Sequence, residues 1–254
     1  MDPSMAAFVQ AVQAAERILV ITGAGLSADS GMPTYRGLGG LYNGVTEEGI
    51  AIEAAISGPM LRRDPALCWK YLAQLGRACL AAAPNAGHEA IAELQRRKPE
   101  CWVLTQNIDG FHRQAGSPLE RLIEIHGELR PLYCQSCGAE SDELEEHLQR
   151  PLPPRCAVCG GVLRPPVVLF EEMLPEAAID SLYGELRKGF DVVLLVGTTA
   201  SFPYIVEPVL RTRAAGGFVA EVNPAPTDLS SRVDVKIAGR ALDILPQLIG
   251  HISR

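Results

Sequence analysis

Short, uninterrupted apolar runs recur along the chain: Ile18-Leu19-Val20-Ile21, Trp102-Val103-Leu104, Leu122-Ile123 with Ile125, Val167-Val168-Leu169, Val192 to Val196, and Phe218-Val219-Ala220 with Val222. Each has strand length and none alternates with polar residues, so each predicts a strand covered on both faces. Helical spacing fills the stretches from Asn85 to Arg97 and from Pro175 to Lys188, and Phe8-Val9-Val12-Ala15 forms one helix face before the first run. At the C-terminus, Ala241-Leu242-Ile244-Leu245-Leu248-Ile249 reads as a closing amphipathic helix despite Pro246. Buried strands separated by helices predict a parallel sheet in an α/β fold.

Two segments break the rhythm. Residues 38–82 are helical in composition without a strong strand, and residues 128–164 are rich in turn formers, with Pro151, Pro153 and Pro154. The expected division is a large domain of residues 1–37, 83–127 and 165–254 carrying two inserts. These are a helical insert, 38–82, and a cysteine-bearing module, 128–164, which together make a small lobe.

Composition narrows the class. Of 254 residues, 47% are hydrophobic and 21% charged, as in ordinary globular proteins, which removes disordered, collagen-like and coiled-coil readings. Thirty acidic residues against 23 basic ones give a net charge of -7, which opposes general binding to nucleic acid or an anionic membrane. Seven cysteines, an odd count spread over positions 68 to 159, argue against a fully paired disulfide framework. With no basic stretch ahead of an apolar one at the N-terminus, a cytoplasmic protein is expected.

Four of the cysteines form a pattern: Cys134-Gln-Ser-Cys137, 18 residues, then Cys156-Ala-Val-Cys159. Two-residue spacers let paired thiolates converge on one ion, and two such pairs complete a tetrahedral Zn²⁺ site with no open position for water. Structural zinc is the expectation, with a redox pair or unliganded thiols as the competing one. Cys68, Cys79 and Cys101 sit in apolar contexts and are expected in the core.

The first strand runs into Thr22-Gly23-Ala24-Gly25-Leu26-Ser27-Ala28. Gly23 and Gly25 allow a tight turn and close approach to a pyrophosphate, which suits dinucleotide binding, although a plain structural turn has the same sequence. The acidic residue that a dehydrogenase would carry about 20 positions later on a second strand has no counterpart. Three further polar segments end expected strands: Gln106-Asn107-Ile108-Asp109, Gly197-Thr198-Thr199 and Asn223-Pro224. Gln, Asn and Asp together offer donors and acceptors to a carboxamide, and Gly-Thr-Thr with Asn suits phosphate and ribose hydroxyls. His126 follows another such strand, where a near-neutral imidazole can act as a base.

Taken together, Gly23-Ala-Gly-Leu-Ser-Ala-Asp-Ser-Gly-Met-Pro-Thr-Tyr-Arg-Gly37, Thr105-Gln-Asn-Ile-Asp109, Ile125-His-Gly127, the cysteine quartet, Val167-Val-Leu-Phe170, Gly197-Thr198 and Asn223 resemble the sirtuins, a family of NAD-dependent protein-lysine deacylases. The segments occur in family order. The resemblance implies a Rossmann-like, doubly wound parallel sheet with a small lobe made of the helical insert and a four-cysteine zinc ribbon. It implies NAD as co-substrate, structural Zn²⁺, acyl-lysine proteins as partners, and transfer of the acyl group to ADP-ribose with release of nicotinamide. By the same resemblance Ala24, Tyr35, Arg36, Gln106, Asn107 and Asp109 surround the nicotinamide and its ribose, with Asn107 also catalytic, while Gly23 and Gly25 approach the pyrophosphate. Gly197, Thr198, Thr199, Asn223, Pro224 and Ala241 hold the rest, His126 is the general base, and Val168, Phe170 and Glu172 meet the substrate.

Departures from the family pattern are local. Thr34-Tyr35 replaces the commoner Asp-Phe, Glu171 stands where glycine is usual, and Ala200-Ser201-Phe202-Pro203 departs from the common run after Gly-Thr. Sirtuins preferring acidic acyl groups resemble one another in a Tyr-x-x-Arg pair; in the register set by Asp64-Pro65, Leu72 and Leu75 stand there, and Leu38 takes the small position. An uncharged acyl group is therefore expected, because an unpaired buried carboxylate costs several kcal/mol. ADP-ribosyl transfer or NAD hydrolysis on the same scaffold is the alternative activity, and a non-enzymatic zinc-ribbon module the alternative class.

Overall fold

In the computed structural model, residues 2–33 and 45–252 are described. Their strands are β1 Arg17–Thr22, β2 Glu100–Thr105, β3 Leu122–Glu124, β4 Leu132–Cys134, β5 Glu140–Ser141, β6 Leu163–Arg164, β7 Val192–Val196, β8 Phe218–Val222 and β9 Val235–Ile237. The helices are α1 Pro3–Ala14, α2 Ala24–Ser27, α3 Ile52–Ala55, α4 Gly58–Arg63, α5 Pro65–Ala81, α6 Ala86–Arg97, α7 Phe111–Gln114, α8 Leu144–Gln149, α9 Glu176–Lys188, α10 Pro203–Ala214 and α11 Ala241–Gly250. Helix starts carry their usual chemistry: the Asp2 and Asp64 carboxylates accept from Ser4 and Leu67 N–H, with proline at the first helical position in each.

The large sheet is fully parallel in the order β3-β2-β1-β7-β8-β9. The chain runs outward from β1 to β3, returns to β7 beside β1, and runs outward the other way. This is the doubly wound arrangement, whose ligand crevice lies where the order reverses, at the carboxyl ends of β1 and β7. Successive side chains serve opposite layers: Ile18 and Val20 pack with α1, α6 and α11, whereas Leu19 and Ile21 pack with α9 and α10. Helices on both faces explain why these strands are uninterrupted apolar runs.

A third core joins the two inserts. Ile52, Leu61, Trp69 and Leu72 pack with Leu132, Leu144, Leu148 and Leu163, and Trp69 Nε1–H donates to the Leu163 carbonyl at 2.9 Å. The module carries an antiparallel sheet in the order β5-β4-β6.

Two expectations about elements change. Val167-Val168-Leu169 is not a sheet strand; it makes single bridges, Val167 with Gly127 and Phe170 with Ser57. Its apolar character serves the third core, where Val167 and Leu169 are buried. Conversely, β9 is a strand the hydrophobic pattern does not announce, because Val235-Lys236-Ile237 is a short run with a charged residue at its centre.

Candidate active site

Two glycine loops meet at the reversal point. Gly23 N–H donates to Val196 O at 3.1 Å and Gly25 N–H to Gly197 O at 2.8 Å. A Cβ on Gly25 would lie 2.7 Å from Gly197 Cα, so these backbones touch only because both residues are glycine. The Asn223 amide, one residue past β8, donates to Thr198 O at 3.1 Å and ties a third loop to the pair. Ala241, the first residue of α11, is buried behind the Gly25 helix, and Pro224 and Thr199 remain at the surface.

Below the first loop lies a polar cluster built from α2 and the turn after β2. Asn107 Nδ2 donates to Gly23 O and to Ser27 Oγ, both at 3.1 Å. Ser27 Oγ–H in turn donates to Asp109 Oδ2 at 2.7 Å, and Phe111 N–H to Asp109 Oδ1 at 2.9 Å. Burial raises the Asp109 carboxyl above the usual carboxylate range, with the Ser27 and Phe111 hydrogen bonds opposing it. Gln106 Nε2 donates to Thr198 Oγ1 at 2.8 Å, linking this cluster to the second glycine loop. Asn107 spends both amide hydrogens inside the protein, so its Oδ1 is the atom left for a ligand's N–H.

His126 lies two residues beyond β3. Its Nδ1 is 2.9 Å from Gln106 O, an atom that only accepts, so Nδ1 carries the proton. In the neutral ring Nε2 is then an acceptor, and Tyr204 Oη–H donates to it at 2.7 Å. Burial pulls the imidazole below its ordinary value, with the Gln106 carbonyl opposing.

The segment after the small sheet is more committed than expected. The amides of Val168 and Phe170, two residues expected to meet the substrate, donate to His126 O at 2.8 Å and Ile56 O at 3.2 Å. Glu172, expected at the substrate, turns inward: Arg164 grips both its oxygens at 2.7 and 2.9 Å, and Leu169 N–H donates to Oε2 at 3.0 Å. The peptide groups of Glu171 have no partner among the described residues.

The four cysteines converge. All Sγ atoms of Cys134, Cys137, Cys156 and Cys159 lie within 4.8 Å of one another, with pairs at 3.4 to 3.7 Å. A tetrahedron with Zn–S bonds of about 2.3 Å has edges of about 3.8 Å, so the set fits one zinc ion. The amides of Ser136, Val158 and Gly161 point at three of the sulfurs from 3.4 Å, as donors to thiolates. The three remaining cysteines are unpaired, with Cys68 and Cys101 fully buried and Cys79 partly so. Tyr35, Arg36 and Leu38 lie outside the described residues.

Comparison with known proteins agrees with this geometry. The family model described as the Sir2 family matches residues 23–203. The chain belongs to the Sir2 family. One relative within it, NAD-dependent protein deacylase 2 of Pseudomonas aeruginosa, is 84% identical over 98% of both chains. The protein of the same name from Pseudomonas syringae pv. tomato is 69% identical over 95% of this chain and 98% of its own. Among solved structures, a Sir2 homologue in complex with NAD superposes with a TM-score of 0.83 at 33% identity, covering 99% of this chain and 93% of the other.

Several residues of this Sir2 site escape motif reading. Ser27 joins Asn107 to Asp109, and His88 Nε2 lies 3.3 Å from Ser27 Oγ while its Nδ1 accepts from Asn85 N–H. His112, by contrast, closely follows the Gln-Asn-Ile-Asp segment in sequence and packs beneath it, with Nε2 2.9 Å from Thr22 Oγ1. The Asn85-x-x-His88 spacing is a readable helix cap; nothing in sequence announces Tyr204, 78 positions from the ring it touches.

Proposed function

We infer that this chain is an NAD-dependent protein-lysine deacylase, in which the acyl group passes from lysine to ADP-ribose as nicotinamide leaves. His126 carries the inference. Its tautomer is set by Gln106 O, its Nε2 is unprotonated, and it sits at the carboxyl edge of the sheet beside the glycine loops. An imidazole kept neutral by burial accepts the proton of a ribose hydroxyl as that oxygen attacks the acyl carbon.

The other residues bind, orient and exclude water. Gly23, Ala24, Gly25, Gly197, Thr198 and Thr199 bring backbone close to the pyrophosphate, and Asn223, Pro224 and Ala241 border the adenosine half. Asn107 Oδ1, with Asp109 and Gln106 around it, receives the carboxamide and turns the ring away from the ribose as the C–N bond breaks. Val168 and Phe170 shape the substrate side through their side chains, and Glu171 supplies the open peptide groups for an extended acyl-lysine segment. Glu172 supports that segment from behind. When bound, zinc fixes the two cysteine turns and supplies no chemistry. Unpaired thiols throughout support a cytoplasmic location, and no helix among the described residues is long and apolar enough to cross a membrane.

The acyl group is uncharged in this reading. Leu72 and Leu75 are buried, and neither offers a cation. Arg77 lines a nearby cavity of about 530 Å³ with Gln74, Met32 and Pro33, but its guanidinium already donates to Leu148 O at 2.9 Å. The test is mass spectrometry of the protein with NAD and acetyl-, myristoyl- and succinyl-lysine peptides. O-acyl-ADP-ribose from the uncharged peptides, lost in His126→Ala, is the expected outcome. A mass gain on protein, or free ADP-ribose independent of peptide, would instead establish the transferase or NAD hydrolase activity, and faster turnover of the succinyl peptide would overturn the acyl assignment.

A further inference from the structure

In the described structure the nitrogen that must take the substrate's proton already has a partner. Tyr204, second residue of α10, places Oη 2.7 Å from His126 Nε2, and its ring stacks on Phe202 with centroids 5.3 Å apart and planes 8° from parallel. Both rings stand edge-on to the imidazole, at 6.0 and 6.1 Å. Phe202 is 40% exposed while Tyr204 packs against the core under α9 and α10, so this aromatic pair walls the base between solvent and core. A hydroxyl at hydrogen-bond distance from Nε2 stands where a ribose hydroxyl must stand for transfer; two donors cannot share one lone pair.

We propose that Tyr204 is a positioning residue for His126, its hydroxyl holding Nε2 unprotonated and aimed at the cleft until the ribose hydroxyl of the substrate takes its place. The inference rests on His126 as the base. It goes further by assigning a role to a residue outside the nucleotide and zinc motifs. Around the ring, the described contacts are the Gln106 carbonyl from the turn after β2, Phe202 before α10, Tyr204 on α10 and the Val168 N–H at the His126 carbonyl. Of these only Tyr204 titrates, and no carboxylate or cation enters the balance of burial against the Gln106 carbonyl.

A hydrogen bond donated to the neutral ring disfavours the protonated one. Tyr204→Phe keeps the stack and removes only the donor. The acid limb of kcat/KM, which reports the free enzyme, is expected to move up by about half to one pH unit, while the acid limb of kcat, which reports the substrate complex, stays in place because the ribose hydroxyl occupies Nε2 in both proteins. A limb that moves in both profiles shows Tyr204 still bound to Nε2 during turnover and overturns the proposal, as does a limb that moves in neither. His126→Ala separates the two readings. Product formation surviving in that variant defeats the base assignment itself, whereas its loss together with unmoved limbs in Tyr204→Phe defeats the Tyr204 inference alone.

Discussion

Glu171 has a φ of 64°, in the left-handed region, with no side-chain hydrogen bond to hold it there. A non-glycine residue in that region carries about 1–2 kcal/mol of strain. Glu171→Gly is therefore expected to stabilise the protein by about 0.5–1 kcal/mol after the greater freedom of unfolded glycine is subtracted, read as a higher denaturation midpoint at constant m-value. His88 and His112 work in the opposite direction with pH. Burial lowers them to about 4 and about 3, while an unfolded histidine titrates near 6.5. Between those values the unfolded chain binds more protons, so their contribution is full above about pH 6.5 and declines as pH falls toward 4, by up to about 1.4 kcal/mol per pH unit for each. Urea midpoints from pH 7 to pH 5 would show the slope, and His112→Gln should flatten it. At this scale the sequence reveals chemistry better than pairing. The glycines, Asn107, Asp109 and His126 announce themselves through residue type after a strand, but the partners Ser27, His88 and Tyr204 come from elements brought together only by folding.

Among the elements, the strands with both faces covered were legible because burial on two sides writes a continuous apolar run, and α6 because its cap and its helical spacing agree. Val167 to Leu169 misleads for the same physical reason: an apolar run records burial, not pairing, and here the burial is against the inserts. Behind it, β6 carries the residue that fixes the segment. Arg164 donates to both Glu172 oxygens and to Val167 O at 2.7 Å, and its guanidinium lies over the Tyr133 ring at 5.8 Å. Burial raises the Glu172 carboxyl, but Arg164 and the Leu169 amide outweigh it and hold the group below the usual range. Arg164→Leu is expected to cost about 2–3 kcal/mol by leaving that carboxylate uncompensated. Adding Glu172→Leu should recover part of the loss, and equal costs for the single and double variants in a denaturation series would show that the pair is not the source.

For the whole molecule, cores and sheets do not follow the order of the chain. Residues 52–73 and 129–169 share one core, and Cys134 and Cys156 belong to it. Removing zinc by chelation is expected to abolish hydrogen-exchange protection across both inserts while β1, β2, β7 and β8 keep theirs; uniform loss, or none, would count against the assignment. The parallel α/β class was readable from the run of buried strands, its doubly wound order came with the family resemblance, and the small lobe was expected from the two interrupting segments. Which residues join the inserts was not readable, since no periodicity links segments so far apart in the chain.

That shared core also orders events during synthesis. The helices from Ile52 to Ala81 leave the ribosome well before Cys134, so their apolar face has no partner until the second insert arrives. The cysteine module is continuous in sequence, from Leu132 to Arg164, and can close around its metal as soon as Cys159 is free. The ion then acts as a template: the later-made module organises the earlier-made helices, and both are in place before β7 and β8 complete the large sheet. A nascent chain short of metal would expose Trp69 and its neighbours to chaperones for as long as the ion is late.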